Sequence, residues 1–169
     1  MVARLARMKA EAARLRDGDA QPIIAADTLV ALDGDLLGKP RGGGEARDML
    51  ARLGDRAHDV VTAVAVMPAG KRSPLVRNLV THVRMRDYSN AEIEASIARG
   101  DPFDKAGGYS IQDVPLHPVE SYDGCYCNVV GLPLWSTIEL LRRAEVPIIT
   151  DRGRLLPQCA ACPLRPDSR

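Results

Sequence analysis

The stretch AADTLVALDGDLLGKP, from Ala25 to Pro40, predicts a β-hairpin and with it a fold built on a sheet. Its centre is the dipeptide Asp33-Gly34, which tolerates the positive φ angles that a two-residue hairpin turn requires. Apolar, strand-like runs stand on both sides of that dipeptide. With this turn Leu32 pairs with Asp35, so the register of the hairpin can be counted outward from the turn.

The same register places polar side chains near the open end of the hairpin. Thr28 comes opposite Lys39, whereas strict alternation puts Asp27 on the other face of the strand. Asp27 and Lys39 can therefore serve one ligand only if the ladder ends or bulges near Pro40, which cannot donate a ladder hydrogen bond. From the hairpin alone, ordinary solvated charges are the better interpretation of this pair.

Further helices and strands are predicted on both sides of the hairpin. They are a helix over 2–16, a flexible connection at 41–44, a helix over 46–53 ended by Gly54, strands over 58–67 and 75–85, a helix begun by the capping-box residues Ser89 and Glu92 and ended by Gly100, a loop over 101–113, a short strand over 117–122, a helix from Pro133 to about Ala144, and an extended segment over 146–149. This mixture predicts an α/β domain over residues 1–149, with a mixed β-sheet flanked by helices, and a tail over 150–169.

Length and composition favour one folded domain and give no electrostatic reason to expect a nucleic-acid or membrane partner. The 169 residues are 46% hydrophobic, enough for a substantial core. The 23 Lys and Arg residues nearly balance the 22 Asp and Glu residues, leaving a net charge of +1. No apolar run has the length of a membrane span, and the N-terminus lacks the apolar core of a signal peptide, so a cytoplasmic protein is expected.

The cysteines occur as two close pairs, Cys125 with Cys127 and Cys159 with Cys162. This spacing predicts no framework of long-range disulfides. The second pair has the separation of a metal or redox pair, but a zinc site needs about four ligands and the first pair lies far upstream. Two reduced cysteines on a mobile tail are the favoured interpretation. His58, at the start of a strand, is better explained by a structural hydrogen bond than as a catalytic base.

Five segments of the chain occur in an order that is specific as a series: LARMKA, AADTLVALDGDLLGKP, EARDMLARLGDRAHDVVTAV, DPFDKAGGYSIQ and NVVGLPL. In these segments the chain resembles the Maf family of nucleoside triphosphate pyrophosphatases, from near its start to about Leu141. The resemblance implies that residues 1–149 form a nucleotide pyrophosphatase domain. It also implies a nucleotide-binding cleft like that of inosine triphosphate pyrophosphatases.

Enzymes of that family cleave a nucleoside triphosphate between its α- and β-phosphates with the help of a divalent metal, and the matched residues suit that chemistry. By resemblance, Asp27 is the proton acceptor and helps to hold Mg²⁺ or Mn²⁺. Lys39 and Lys105 match lysines that neutralise phosphate oxygens. Thr28 and Gln112 match the positions that select the base, and the Ala-Asp-Thr form resembles the branch that acts on dTTP and UTP.

The family's Ser-Arg-Arg phosphate-binding segment, which precedes the first helix, does not occur in this sequence. The resemblance therefore leaves two functions open: a pyrophosphatase, or a catalytically weak or inactive nucleotide-binding or regulatory protein. The expected partner is the nucleoside triphosphate itself. No nucleic acid or membrane partner is expected, and a homodimer is left open.

Overall fold

The structure is a computed structural model, and it describes residues 1–149 and 156–166. Its regular elements are, in chain order, α1 (Val2–Asp17), β1 (Ile23–Leu32), β2 (Asp35–Leu37), α2 (Gly43–Leu53), β3 (Ala57–Met67), β4 (Leu75–Met85), α3 (Asn90–Arg99), a 3₁₀ turn (Ala106–Gly108), β5 (Val119–Asp123), α4 (Tyr126–Val130), α5 (Leu134–Arg143) and α6 (Pro157–Ala160). The strands form one five-stranded sheet in the order β2-β1-β3-β4-β5. The predicted α/β fold, with helices flanking a sheet, is confirmed, but the sheet is antiparallel where a mixed sheet was predicted.

The chain divides into two compact units. The first contains Met1–Thr28, Thr62–Val80 and Gly124–Arg169, and the second contains Leu29–Val61 and Thr81–Asp123. α1, α4, α5 and α6 belong to the first unit, and α2, α3, β2 and β5 belong to the second. Within the described ranges, no helix combines the length and the apolar character needed to cross a membrane.

Each unit has its own buried core. In the first, Val64 and Val66 of β3 are fully buried and pack with Leu140 of α5. In the second, Leu50 of α2 is fully buried, and its carbonyl accepts a hydrogen bond of 2.7 Å from the hydroxyl of Tyr88. The apolar period of the strands and helices thus accounts for the interior of both units.

The β1–β2 hairpin has the predicted turn and register. The two residues of the Asp-Gly turn take φ angles of 53° and 88°, which a turn with two left-handed residues requires. Leu32 lies opposite Asp35, and β2 is so short that its ladder ends at Leu37. The ladder therefore ends before Lys39 and Pro40. The strict alternation of side chains between the two faces of the sheet thus does not apply to Lys39.

α2 begins earlier than predicted. Gly43 and Gly44 form its first turn instead of a flexible connection. Glu45 helps to fix this turn, because its carboxylate accepts a hydrogen bond of 2.8 Å from the backbone N–H of Arg41. The predicted buried face is confirmed in full, and its members are Ala46, Met49, Leu50 and Leu53.

The predicted ends of α3 and α2 are also observed. Ser89 and Glu92 form the reciprocal capping box, and Gly100 ends α3 with a left-handed φ of 83°. Gly54 ends α2 with an ordinary φ of −54°. An added Cβ at this position would lie 3.4 Å from the ring of Tyr88, an ordinary van der Waals contact.

The C-terminal part of the chain corrects one interpretation. Cys159 and Cys162 do not lie on a mobile tail: α6 packs against α4, and the two residues are only 2% and 7% exposed. Local spacing could not reveal this packing, because it depends on a distant return of the chain. α4 was missed because five residues are too few for a periodic pattern. Residues 146–149 belong to no helix or strand, and the predicted tail boundary at residue 150 lies outside the described residues.

Candidate active site

Asp27 lies on β1 in the first unit and is held by a lysine of α1. Its side chain is 15% exposed, and the ammonium group of Lys9 donates to its Oδ1 at 2.7 Å. The same ammonium group donates to the carbonyl of Ala26 at 3.1 Å. Lys9 is 57% exposed, so water screens the ion pair, which contributes under about 1 kcal/mol to stability. The contact therefore serves mainly to orient a carboxylate that solvent can still reach.

Sequence reasoning missed Lys9 as a candidate site residue. It stands in the segment LARMKA, where helical periodicity accounts for the apolar residues and leaves the lysine as one of several charges on α1. Its partner Asp27 is 18 residues away. Only the order of the five segments gave any signal that this part of α1 belongs with the hairpin.

Thr28, the next residue of β1, takes part in a directed chain of hydrogen bonds. Its Oγ1 lies 2.9 Å from Oγ1 of Thr62, and Thr62 donates its own proton to the backbone carbonyl of Asn128 at 2.8 Å. A carbonyl can only accept, and each hydroxyl has one proton. The hydrogen bond between the two threonines must therefore carry the proton of Thr28. The lone pairs that remain on the Thr28 oxygen make it an acceptor toward any further partner.

Gly131 keeps space beside this oxygen. A Cβ at position 131 would lie 3.3 Å from Thr28 Oγ1, which is closer than an ordinary van der Waals contact. Gly131 also ends α4 in the left-handed region, with φ of 113°. The segment NVVGLPL thus supports Thr28 in two ways, through the Asn128 carbonyl and through a position without a side chain.

Lys39 and Lys105 belong to the second unit, and both act on one carboxylate. Lys105 donates to Asp104 and, at 3.0 Å, to the carbonyl of Asp101. The hydrogen bond from Lys105 lowers the pKa of Asp104, and the charge of Lys39 adds a smaller effect in the same direction. Asp104 is 78% exposed. The structure therefore places Asp104, an exposed acid that sequence reasoning did not single out, in contact with Lys105 and within reach of the charge of Lys39.

The loop that carries Lys105 approaches β1 closely at Gly107. Gly107 has φ of 72°, and an added Cβ would lie 3.1–3.3 Å from the side chain of Val30. Its N–H also donates to the carbonyl of Gly38 at 2.9 Å. A residue with a side chain fits neither the φ angle nor the space. Gly107 is therefore needed to bring this loop against the hairpin.

His58 of β3 and Tyr109 of the same loop form a buried pair. The Nε2 atom of His58 lies 2.7 Å from the Tyr109 hydroxyl, and the rings meet edge to face at 83°. His58 is 5% exposed, and burial lowers its pKa to about 4, while burial raises the pKa of Tyr109. His58 is therefore neutral at pH 7. The structural hydrogen bond predicted for it is confirmed.

Gln112 is exposed in the second unit, with its backbone N–H bonded to the hydroxyl of Ser110 at 3.1 Å. Asp113, directly after it, is used structurally: its carboxylate accepts from the N–H of Leu116 at 3.0 Å and lies 3.6 Å from Arg99. These contacts of Asp113 fix the backbone directly after Gln112.

The five predicted site residues fall into two sets. Asp27 and Thr28 are neighbours in the first unit, while Lys39, Lys105 and Gln112 belong to the second. A divalent ion in a nucleotide site usually takes one or two carboxylates and completes its shell with water and phosphate oxygens. Asp27 offers one accessible carboxylate and belongs to no group of three or more described His, Cys, Asp or Glu side chains that could hold a metal. Its chemistry fits Mg²⁺ or Mn²⁺ brought with a nucleotide.

The chain is similar in sequence to known proteins. A family model described as Maf-like protein matches residues 1–144. A dTTP/UTP pyrophosphatase of Thermomicrobium roseum is 53% identical over 164 residues, which cover 96% of this chain and 73% of the relative. Proteins with the same name from Dictyoglomus turgidum and Halalkalibacterium halodurans are 47% and 42% identical, over 72% and 84% of this chain and 63% and 73% of their own lengths.

Proposed function

The chain belongs to the family of Maf-like proteins, and from that premise we propose that it hydrolyses dTTP or UTP, or a related modified nucleotide, to the monophosphate and pyrophosphate. The relatives named dTTP/UTP pyrophosphatase support this substrate class. The observation that carries the proposal is the arrangement on β1: a lysine-held carboxylate at Asp27 beside a hydroxyl at Thr28 that is directed as an acceptor.

Asp27 is the proposed general base. Its carboxylate takes a proton from a water molecule whose oxygen bonds to the α-phosphorus, while the bond from that phosphorus to the bridging oxygen breaks. Lys9 holds Oδ1 and so orients the carboxylate for this task. A divalent ion, held by Asp27 and the phosphates, would supply charge neutralisation on the phosphate oxygens when bound.

Lys39 and Lys105 are the proposed phosphate-binding residues. Negative charge grows on the leaving pyrophosphate as the bond breaks, and fixed ammonium groups lower the energy of that state. Before substrate binds, the ammonium group of Lys105 is hydrogen-bonded to the carboxylate of Asp104. This exposed ion pair is weak, so a triphosphate with several negative charges displaces the single carboxylate.

Thr28 is proposed to select the base, because its hydroxyl proton is donated to Thr62 and its oxygen is left to accept a hydrogen bond. Uracil and thymine present an N–H donor at the ring position where cytosine presents an acceptor nitrogen. Because the proton of Thr28 is given to Thr62, its oxygen accepts from uracil or thymine and meets the lone pair of cytosine unfavourably. Gln112, which carries both a donor and an acceptor, is proposed as the second residue that reads the base.

The test is release of pyrophosphate from UTP, dTTP and CTP with Mg²⁺ or Mn²⁺. We expect release from UTP and dTTP that exceeds release from CTP, and a loss of about 100-fold or more in Asp27→Asn. Asp33→Asn is the matched control, because it neutralises an exposed aspartate at the hairpin turn. Wild-type activity no higher than that of Asp27→Asn would overturn the proposal. Nucleotide binding without any release would favour the regulatory, nonenzymatic alternative.

A further inference from the structure

All four cysteines of the chain meet in one buried cluster of the first unit, although 31 residues separate the two pairs in sequence. Cys125 and Cys127 stand at the start of α4, and Cys159 and Cys162 stand in and after α6. Their exposed fractions are 2%, 8%, 2% and 7%. Leu79, Tyr126, Leu134 and Trp135 complete the cluster. The proposed hydrolysis uses none of these four thiols.

The sulfur atoms pair across the two segments. Cys127 Sγ lies 2.6 Å from Cys159 Sγ, and the Cys125 and Cys162 side chains are hydrogen-bonded to each other. The 2.6 Å separation is longer than a disulfide bond, at about 2.05 Å. It is shorter than the separation of about 3.8 Å between two sulfurs that share a tetrahedral zinc ion with Zn–S bonds of about 2.3 Å.

Backbone donors point at these sulfurs. The N–H groups of Cys127 and Asn128 donate to the side chain of Cys125, and the N–H of Leu134 donates to that of Cys127. The indole N–H of Trp135 donates to the carbonyl of Cys159 at 2.9 Å and so fixes α6 against the cluster. Outer hydrogen bonds of this kind orient metal ligands.

We propose that Cys125, Cys127, Cys159 and Cys162 bind one zinc ion as a closed, four-thiolate structural site. Each thiol loses its proton to solvent as its sulfur bonds to the ion, so four protons are released per zinc bound to four thiols. As thiols, the sulfurs lie in two pairs, and among the described residues no three ligands stand around one point. Zinc binding requires the 2.6 Å pair to open by about 1.2 Å, which is within the range of side-chain rotation.

The site would join α6 to α4, because each segment supplies two ligands. Zinc is favoured over two disulfides because four sulfurs, all buried in one cluster, match the full ligand set of a structural zinc site. The spacings Cys-x-Cys and Cys-x-x-Cys also let neighbouring residues reach one ion. With four protein ligands no position is left for water, so the zinc would stabilise the fold without taking part in hydrolysis.

The test uses the full chain, purified in reducing buffer without chelators. Elemental analysis and native mass spectrometry should find one zinc per chain. Replacement of zinc by Co²⁺ should give the sulfur-to-metal charge-transfer bands and intense visible bands of a tetrahedral thiolate site. Cys159→Ser combined with Cys162→Ser should lose the metal. Ala161→Ser, an exposed change in the same turn, should keep it.

The wild-type protein decides the matter even if the double variant does not fold. A chain with no zinc and no cobalt bands would overturn the proposal. Full reaction of four thiols with a thiol reagent after unfolding would then show free cysteines. A mass lower by four hydrogens would show two disulfides. This test is independent of the proposed hydrolysis. A chain that binds zinc and hydrolyses no nucleotide would still confirm the site.

Discussion

Acidification should destabilise the protein through His58. The buried imidazole has a pKa of about 4 in the folded protein, against 6.5 for the exposed group. The unfolded chain therefore binds the proton first, so the stability from the neutral imidazole is fully present above pH 6.5 and is lost as the pH falls toward 4. A difference of 2.5 pKa units at 1.36 kcal/mol each corresponds to about 3 kcal/mol.

The measurement is urea unfolding, followed by circular dichroism, at pH steps from 7.5 to 4. His58→Gln is the matched variant, because an amide can bond to the Tyr109 hydroxyl but does not titrate in this range. The free energy of unfolding should fall by about 3 kcal/mol more in the wild type than in the variant. Glu92, whose pKa is lowered to about 2 chiefly by a hydrogen bond from Arg86, titrates in both proteins and cancels in the comparison. Equal pH dependence in the two proteins would refute the reasoning.

Three further substitutions test the site and the loop beside it. Thr62→Val removes the acceptor of the Thr28 proton and should lower the ratio of kcat/KM for UTP to kcat/KM for CTP by about tenfold. Thr62→Ser keeps the hydroxyl and should keep the ratio. An unchanged ratio in the valine variant would contradict the directed hydrogen bonds. Asp104→Asn removes the carboxylate that competes with the nucleotide for Lys105. The KM for the nucleotide should fall two- to threefold at low salt, about 0.4–0.7 kcal/mol, and less at high salt. A raised KM would oppose this role. Gly107→Ala should lower the free energy of unfolding by about 1–3 kcal/mol, because the left-handed φ and the crowding against β1 both penalise a side chain; thermal unfolding equal to that of the wild type would count against it.

Features of the fold that depend on nearby residues could be predicted from the sequence. The Asp33-Gly34 turn sets the hairpin register by itself, and the capping box of Ser89 and Glu92 defines the start of α3. In both cases the interacting atoms are at most three residues apart. Local backbone geometry and side-chain capping therefore define these features without any tertiary contact.

Features that depend on distant parts of the chain could not be predicted in this way. The contact of Lys9 with Asp27 spans 18 residues, and that of Cys127 with Cys159 spans 32. Periodicity shows which face of a helix is apolar, but not which residue of another element its charged face meets. For Thr28, the sequence pointed to the position, whereas the direction of its proton depends on Thr62, which reads as an ordinary strand residue.

The hydrogen-bond chain at Thr28 ends on a main-chain atom, and this affects how the site tolerates mutation. The group that finally orients the protons is the carbonyl at position 128, which every amino acid possesses. Substitutions of the Asn128 side chain that keep the backbone in place leave that carbonyl where it is, so they cannot reverse the direction of the Thr28 proton. In the role proposed for Thr28, base preference would therefore change on mutation of either threonine, but not on substitution of the Asn128 side chain, because the accepting carbonyl belongs to the backbone.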